Sequence, residues 1–419
     1  MKIDNVLILA GGRGTRSQNP SIPKVLQKLT EETDLASILE KQLEEFNDTK
    51  IIWLLSHLEN QVRHRLQGFK GNHEIHTDPG TGTRDAVISV SSELAGDNSL
   101  LILGDCLMGG PLRQMTQQIQ SDRETHFFVR VTDHPQDSDL IIADSGNFAK
   151  EFIPKGESII DTNGIPFGLS GLTITPNEVL RNLVEEKDVQ KAIFVTSRIR
   201  GIAVKIKKNS WYIRDTGTPQ RLAKSRQDFL EGVVSRQSKP RRSAIFIDRD
   251  GTLVPNLGEA RTSISVEEVP SAVRNAVNRC NKMGVPVIVV TNQPGLAKGF
   301  IEHKDLENTI SQLHQALMPG RVDDFYFCPH HPEVGWAGEI PSLKKVCECR
   351  KPKAGLFHVA ANEHLLDLEA SYMIGDTSVD EVAAQAAKCK FIQASYSAEG
   401  VEVSHALERA LEEILSAGF

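Results

Sequence analysis

At 419 residues, with 39% hydrophobic and 25% charged residues, the chain has the composition of a soluble globular protein and the length of two domains. A formal net charge of −7 and a pI near 6.0 exclude a basic nucleic-acid-binding surface. No stretch approaches the ~20 apolar residues of a membrane span, and the first apolar run ends at Gly11 without a signal-cleavage pattern, so a cytoplasmic location is expected.

In chain order, short apolar runs at 6–10, 51–55, 100–103, 125–131 and 201–206 alternate with polar helical stretches, which predicts β-α-β units and a mostly parallel sheet. The first run opens into the glycine-rich turn Gly11-Gly-Arg-Gly14. Its backbone amides can approach a triphosphate, with Arg16 and, beyond Pro23, Lys24 adding positive charge. The spacing is neither that of the dinucleotide fingerprint nor that of the Walker loop. Asp105 ends the run at 100–103 and Asp215 follows Trp211, giving two carboxylates that can hold Mg²⁺.

This set resembles the sugar-1-phosphate nucleotidyltransferases over residues 1–235. The resemblance implies a GT-A-like fold and attack of a sugar 1-phosphate oxygen on the α-phosphorus of a nucleoside triphosphate, releasing pyrophosphate. It places Gly11, Gly12, Gly14, Thr15, Arg16 and Lys24 on the triphosphate and Asp105 and Asp215 on the metal. It puts Gly82 and Thr83 near the base, Lys155 on the sugar phosphate, and Ser170 and Gly171 against the sugar. Ser17, Pro154 and the Arg84-Asp85 pair depart from the family pattern, which leaves base and sugar specificity open; GTP is favoured by resemblance to heptose transferases of this fold.

A helix is predicted over 219–234, followed by the polar, basic, proline-bearing segment 235–243, within which 236–242 reads as a solvated linker. The second half, 243–419, repeats the strand rhythm at 244–247, 285–290, 324–327 and 371–374. The whole therefore reads as two Rossmann-like, three-layer α/β domains.

Behind the run at 244–247 stand Asp248 and Asp250, a pair in which the first can attack phosphorus and the second can protonate the leaving oxygen. Thr291 and Asn292 end the next strand, where a hydroxyl and an amide can hold phosphate oxygens. Lys351 can neutralise the transferred phosphoryl group. Asp376, with Asp380 behind it, is placed to ligate Mg²⁺ beside Asp248 and Asp250.

Three of the six cysteines lie close together beside a histidine. Cys328, His330, Cys347 and Cys349 form a suitable structural-zinc set, with His331 as a competing ligand. Such a site would fold a loop poor in apolar residues and pin Arg350 and Lys351.

The order of these motifs resembles the haloacid-dehalogenase-like (HAD-like) phosphatases from about Ser243 onward, and more narrowly the D-glycero-D-manno-heptose 1,7-bisphosphate phosphatases and related histidinol-phosphate phosphatases. The resemblance implies an aspartyl-phosphate on Asp248, with Asp250 as acid/base, and Arg350 on the substrate's second phosphate. Thr377 stands where many relatives carry lysine, a charge for which Lys298 or Lys353 would have to compensate.

Together the halves imply consecutive steps: a heptose 1,7-bisphosphate is cut to heptose 1-phosphate, which is then nucleotidylated. The partners implied are heptose phosphates and a nucleoside triphosphate, with neither nucleic acid nor membrane, and a homo-oligomer is compatible with this. The competing expectations are a histidinol-phosphatase-like half joined to a different sugar transferase, and a phosphatase regulated by a nucleotide-sensing half.

Overall fold

Buried apolar strands organise both halves of the molecule. The computed structural model describes residues 1–12, 19–132, 135–157 and 165–418. The N-terminal half contains β1 (Asn5–Leu9), β2 (Lys50–Leu55), β3 (His73–Thr77), β4 (Asn98–Leu103), β5 (Cys106–Met108) and β6 (Thr125–Arg130). It continues with β7 (Leu140–Ala143), β8 (Ala149–Ile153), β9 (Ile165–Pro176), β10 (Val204–Lys208) and β11 (Ile213–Asp215).

The main sheet runs β10-β6-β9-β4-β1-β2-β3. β1 is parallel to β2 and β4, and β10 to β6, whereas β9 runs antiparallel to β4 and β6. β1 is buried on both faces, as its unbroken apolar sequence requires. Val6 and Ile8 pack with Ile51 and Trp53 on one side, and Leu7 and Leu9 with Ile52 and Leu54 on the other. The parallel pairing of β1 with β4 brings the segments after Leu9 and Leu103, and hence Gly11 and Asp105, to the same sheet edge.

Two strands of this sheet escape the apolar-run criterion. β3 reads His-Glu-Ile-His-Thr and is only partly buried, so no hydrophobic run announces it. β9 contains Pro166, Gly168 and Gly171, residues that mark breaks in isolation, yet it is a central strand. Gly171 has φ +77°, and the β6–β9 register shifts between Phe127 and Val129, so β9 is a bulged strand whose irregularities serve its bend.

The C-terminal half contains β12 (Ile245–Ile247), β13 (Val287–Asn292), β14 (Asp324–Cys328), β15 (Tyr372–Gly375) and β16 (Lys390–Gln393). They form a wholly parallel sheet in the order β14-β13-β12-β15-β16. The chain reverses direction across this sheet between β12 and β15, the crevice at which open parallel sheets build their sites. Among the described residues, no helix is long and apolar enough to cross a membrane.

The junction departs from the expected solvated linker. The predicted helix is Pro219–Leu230, and Gly232 at φ +73° leads into a second helix, Val233–Ser238. Arg242 is 2% exposed. Its guanidinium lies 4.0 Å from the centroid of the Trp211 ring, and it donates to the Ser210 carbonyl at 2.8 Å. A planar cation stacked on an indole and hydrogen-bonded at its rim can be buried where a hydrated ammonium would not be.

Beyond Arg242 a polar chain joins the halves. His364 meets Ser210 Oγ through Nδ1 at 3.0 Å and Asp324 Oδ2 through Nε2 at 2.9 Å, and Lys208 donates to Asp324 Oδ1 at 2.8 Å. Burial would raise the Asp324 carboxyl, but Lys208 and His364 hold it well below its usual range.

Nearby, His314 has an enclosed Nε2 without a hydrogen-bond partner, and burial, then the Lys208 ammonium, push its ring down to about 4. Its unfolded value is near 6.5, so the native state refuses a proton that the unfolded chain accepts. Stability is therefore expected to be intact above pH 6.5 and to decline as the pH falls toward 4. The loss should be on the order of 1–3 kcal/mol, given a ring only partly shielded from solvent. Urea melts of His314→Gln across this range should lack that slope; an unchanged slope would assign it elsewhere.

Candidate active sites

The C-terminal site forms where β12, β13 and β15 end. Asp248 follows β12, and Lys351, 4% exposed, reaches it from the loop behind Cys349. Lys351 Nζ donates to Asp248 Oδ1 at 2.7 Å, to Asp380 Oδ1 at 2.6 Å and to the Val290 carbonyl at 2.9 Å. Burial alone would lower the lysine, but Asp248 and Asp380 raise it above its ordinary value. Burial raises Asp248; Lys351 opposes that shift and Asp380 adds to it.

Asp248, Asp376 and Asp380 each present a carboxylate oxygen within 4.8 Å of the others, a set that could hold a divalent cation. Asp250 is turned elsewhere. Its Oδ2 accepts from Arg249 Nε at 2.8 Å and Gln293 Nε2 at 2.9 Å, so the structure does not bring this carboxylate into the group. Gly251, at φ +90°, passes so close to Asp376 that an added Cβ would lie 2.4 Å from its Oδ2. Only glycine allows that turn.

Thr291 is buried and its Oγ1 accepts from Gln293 Nε2 at 3.0 Å. Asn292 engages the Lys351 backbone. Its Nδ2 donates to the Lys351 carbonyl and its Oδ1 accepts from the Lys351 amide, both at 3.0 Å, fixing the backbone from which the buried ammonium projects. Gln293, Arg249 and Arg261 were not singled out by the sequence. Gln293 ties Thr291, Asp250 and Arg249 together, while Arg261 Nε lies 3.5 Å from Asp250 Oδ1. A glutamine following Thr-Asn and an arginine between two aspartates were the available signals.

Thr377 is explained by Asp380. Its hydroxyl and amide donate to Asp380 Oδ2 at 2.7 and 3.2 Å, closing a capping box on the helix Ser378–Ala387. That cap leaves the other Asp380 oxygen for Lys351. Of the two proposed compensating lysines, Lys353 pairs with exposed Glu348, whereas Lys298 pairs with Glu259 and lies 4.6 Å from the Trp336 ring centroid.

Beside this site the four predicted zinc ligands converge. Sulfur–sulfur separations are 3.5 Å for Cys328–Cys347, 3.2 Å for Cys328–Cys349 and 3.3 Å for Cys347–Cys349. His330 Nδ1 lies 3.2 Å from Cys349 Sγ and 3.7 Å from Cys328 Sγ. Zinc–sulfur bonds of about 2.3 Å give tetrahedral edges of about 3.7 Å, close to this set. His331 instead packs edge-on against Trp336, with ring centroids 5.1 Å apart. Arg350 Nη1 donates to the His330 carbonyl at 3.3 Å, which ties it to the cluster.

The N-terminal site is a cavity of ≈ 530 Å³, within the size range of small-molecule sites. Gly11, Gly12, Lys24, Gly82, Thr83, Asp105, Lys155, Ser170, Gly171 and Asp215 all line it. Gly14, Thr15 and Arg16 lie outside the described residues, as does Ser17. An added Cβ on Gly11 would come 2.4 Å from Asp78 Oδ2 and 3.0 Å from Ser56 Cβ, so a larger residue there would have to displace the Asp78 carboxylate.

β11 pairs antiparallel with β5, setting Asp215 opposite Cys106 and next to Asp105. Thr216 locks this arrangement, donating its amide and hydroxyl to the Asp105 carbonyl at 2.9 and 2.7 Å. Lys24 pairs with Asp105 at 2.7 Å, and Arg221, another residue the sequence reading missed, pairs with Asp215 and with Asp137. Thr83 Oγ1 accepts from the Val189 amide at 3.0 Å, and Ser170 Oγ donates to the Phe128 carbonyl at 2.6 Å, so both hydroxyls support the cavity wall.

A family model described as HAD-hydrolase-like matches residues 348–408. The D-glycero-beta-D-manno-heptose-1,7-bisphosphate 7-phosphatase of Escherichia coli O6:H1 is 37% identical over 146 residues, 34% of this chain and 74% of that protein. The protein of the same name from Salmonella typhi is 38% identical over the same length. Among solved structures, HddC from Yersinia pseudotuberculosis is similar at 19% identity and TM-score 0.44, over 54% of this chain and 100% of that one.

Proposed function

Because this chain belongs, through its C-terminal part, to the D-glycero-β-D-manno-heptose-1,7-bisphosphate 7-phosphatase family, we propose that it removes the 7-phosphate of that bisphosphate and nucleotidylates the heptose 1-phosphate that remains. The observation that carries the first step is the Lys351 ammonium buried between Asp248 and Asp380 at the carboxyl ends of adjacent parallel strands. A buried, charge-compensated carboxylate at that crevice is suited to attack phosphorus.

In this reading Asp248 forms a bond to the 7-phosphorus as the bond to the sugar oxygen breaks, and Asp250 gives that oxygen a proton. Water then attacks the aspartyl-phosphate, loses a proton to Asp250 and releases inorganic phosphate, regenerating Asp248. Lys351 offsets charge on the phosphoryl oxygens, while Gln293 and Arg249 fix the orientation of Asp250. Asp248, Asp376 and Asp380 would hold Mg²⁺, with Asp250 serving proton transfer in place of the ligand role expected for it. Bound there, the ion would add positive charge beside the phosphoryl group. Cys328, His330, Cys347 and Cys349 would hold a structural Zn²⁺, and Arg350, fixed by that loop, would meet the phosphate that is kept.

The N-terminal cavity supports the second step. Gly11, Gly12 and Lys24 would receive the triphosphate, Asp105 and Asp215 would hold Mg²⁺, and Lys155 would meet the sugar phosphate. Transfer needs no covalent intermediate, so positioning and neutralisation suffice. The division into functional units falls near residues 236–242, and a cytoplasmic setting suits soluble phosphosugar and nucleotide substrates.

The test is incubation with heptose 1,7-bisphosphate, Mg²⁺ and each of GTP, ATP, CTP and UTP, with mass analysis of products. One phosphate, one pyrophosphate and a nucleoside-diphosphate heptose are expected, with GTP preferred. A marked preference for histidinol phosphate, or nucleotide binding without pyrophosphate release, would overturn the corresponding half of the reading.

A further inference from the structure

The wall of the N-terminal cavity includes one residue from the other half of the chain, Arg321. It lies on the loop between the helix His303–Leu317, which packs against β9, and β14. Two contacts hold it in place. Its amide donates to Asn281 Oδ1 at 2.8 Å, and its Nε donates to Asp323 Oδ1 at 3.1 Å. Asp323 is itself anchored, since its Oδ2 accepts from the Val287 amide at the start of β13 at 3.0 Å. The side chain is 17% exposed, and among the described residues Asp323 is the only partner of its guanidinium. Both terminal nitrogens remain, which is the fork that grips phosphate in bidentate fashion.

Charge within the cavity points the same way. Lys24 pairs with Asp105, and Arg221 with Asp215 and Asp137. Lys155 lines the cavity and carries no ion pair among the described residues. Arg130 donates to the Ile213 carbonyl and Arg214 faces Asp228, so Lys155, near the Asp188 carboxylate, and the Arg321 fork, one from each half, are cations that can meet an incoming anion. A phosphate monoester of charge about −2 calls for roughly that complement.

Resting on the nucleotidyl-transfer reading of this cavity, we propose that Arg321 binds the phosphate of the acceptor sugar 1-phosphate. The transferase site is then completed by the phosphatase half rather than contained in residues 1–235. Anchoring Nε on Asp323 pre-orients the guanidinium, so little side-chain freedom is lost when phosphate binds.

The test uses the full chain carrying Arg321→Gln or Arg321→Lys, with pyrophosphate release measured against heptose 1-phosphate and against the nucleoside triphosphate. Phosphate release from the bisphosphate is followed on the same preparations as the control for folding. Arg321→Gln is expected to raise the KM for heptose 1-phosphate at least about tenfold, with the triphosphate KM and phosphate release within about twofold of wild type. Arg321→Lys should recover part of the loss, since a point charge remains but the fork does not. An unchanged acceptor KM in Arg321→Gln overturns the proposal alone. Equal losses in acceptor KM, triphosphate KM and phosphate release would show a structural role and overturn it as well. Wild-type protein that releases no pyrophosphate with any triphosphate overturns the reading of the cavity and the proposal with it.

Discussion

Asp248→Asn is expected to reduce phosphate release by about 10⁴-fold or more, the scale seen when a covalent nucleophile is removed. The substitution is nearly isosteric, but a neutral amide cannot form the acyl-phosphate. It also removes one of the two carboxylates that hold Lys351 Nζ. Loss of one partner from a buried ion pair is costly when nothing remains to compensate the other. Here Asp380 and the Val290 carbonyl stay within hydrogen-bonding distance, so the variant should fold with a modest drop in Tm. Pyrophosphate release with supplied heptose 1-phosphate should remain within about twofold of wild type, because none of the Asp105, Asp215 and Lys24 contacts involves Asp248. Phosphate release within tenfold of wild type would remove Asp248 from the nucleophile's role. Loss of both activities in a folded variant would show that the two sites do not work independently.

The second large effect is expected at the cysteine cluster. Cys349→Ser removes one of four candidate ligand atoms immediately before Arg350 and Lys351. The loop it closes has little core of its own, since Val334 is 71% exposed and Val346 75%. Structural zinc contributes about 10–16 kcal/mol of binding free energy in small zinc modules, so metal and loop order should be lost together. Zinc content should fall from about one equivalent per chain to well below it, and phosphate release by about 10²-fold. Nucleotidyl transfer should persist. Atomic absorption and both activity assays on one preparation check this, and chelation of wild-type protein should reproduce it. Full phosphate release by a zinc-free protein would rule out the proposed coupling between the metal loop and the catalytic lysine.

Much of the candidate chemistry was legible because it sits at strand ends. Asp248, Thr291 and Asp376 each follow an apolar run, and a run that stops at a carboxylate or hydroxyl marks a sheet edge without knowledge of the fold. Spacing in the cysteine loop gave the candidate set Cys328, His330, Cys347 and Cys349, with His331 as a competitor. The structure gathers His330 with the three cysteines and sets the His331 ring against Trp336, a contact that spacing does not foretell. Asn292 was expected to hold a phosphate oxygen, and its contact with the Lys351 backbone is invisible in the sequence until the loop folds over β13. Gln293, Arg249, Arg261 and Arg221 escaped notice for a related reason. Polar and charged side chains are ordinary on a surface, and their meaning here comes from burial against particular carboxylates.

By itself the sequence determined two α/β units, the strand-terminal carboxylates and glycine turn of their candidate sites, and a loop whose clustered cysteines and histidine suit a metal. These are properties of local periodicity and spacing, fixed by backbone geometry over a few residues. Only the tertiary structure decided that β9, despite its proline and glycines, is a central strand, and that Arg242 is a buried plug rather than part of a solvated linker. It also decided that Asp380, rather than the carboxylate of Asp250, joins Asp248 and Asp376, and that Arg321 crosses from one half to line the cavity of the other. Each of these depends on which surfaces meet, and contacts between segments distant along the chain leave no periodic trace in either segment.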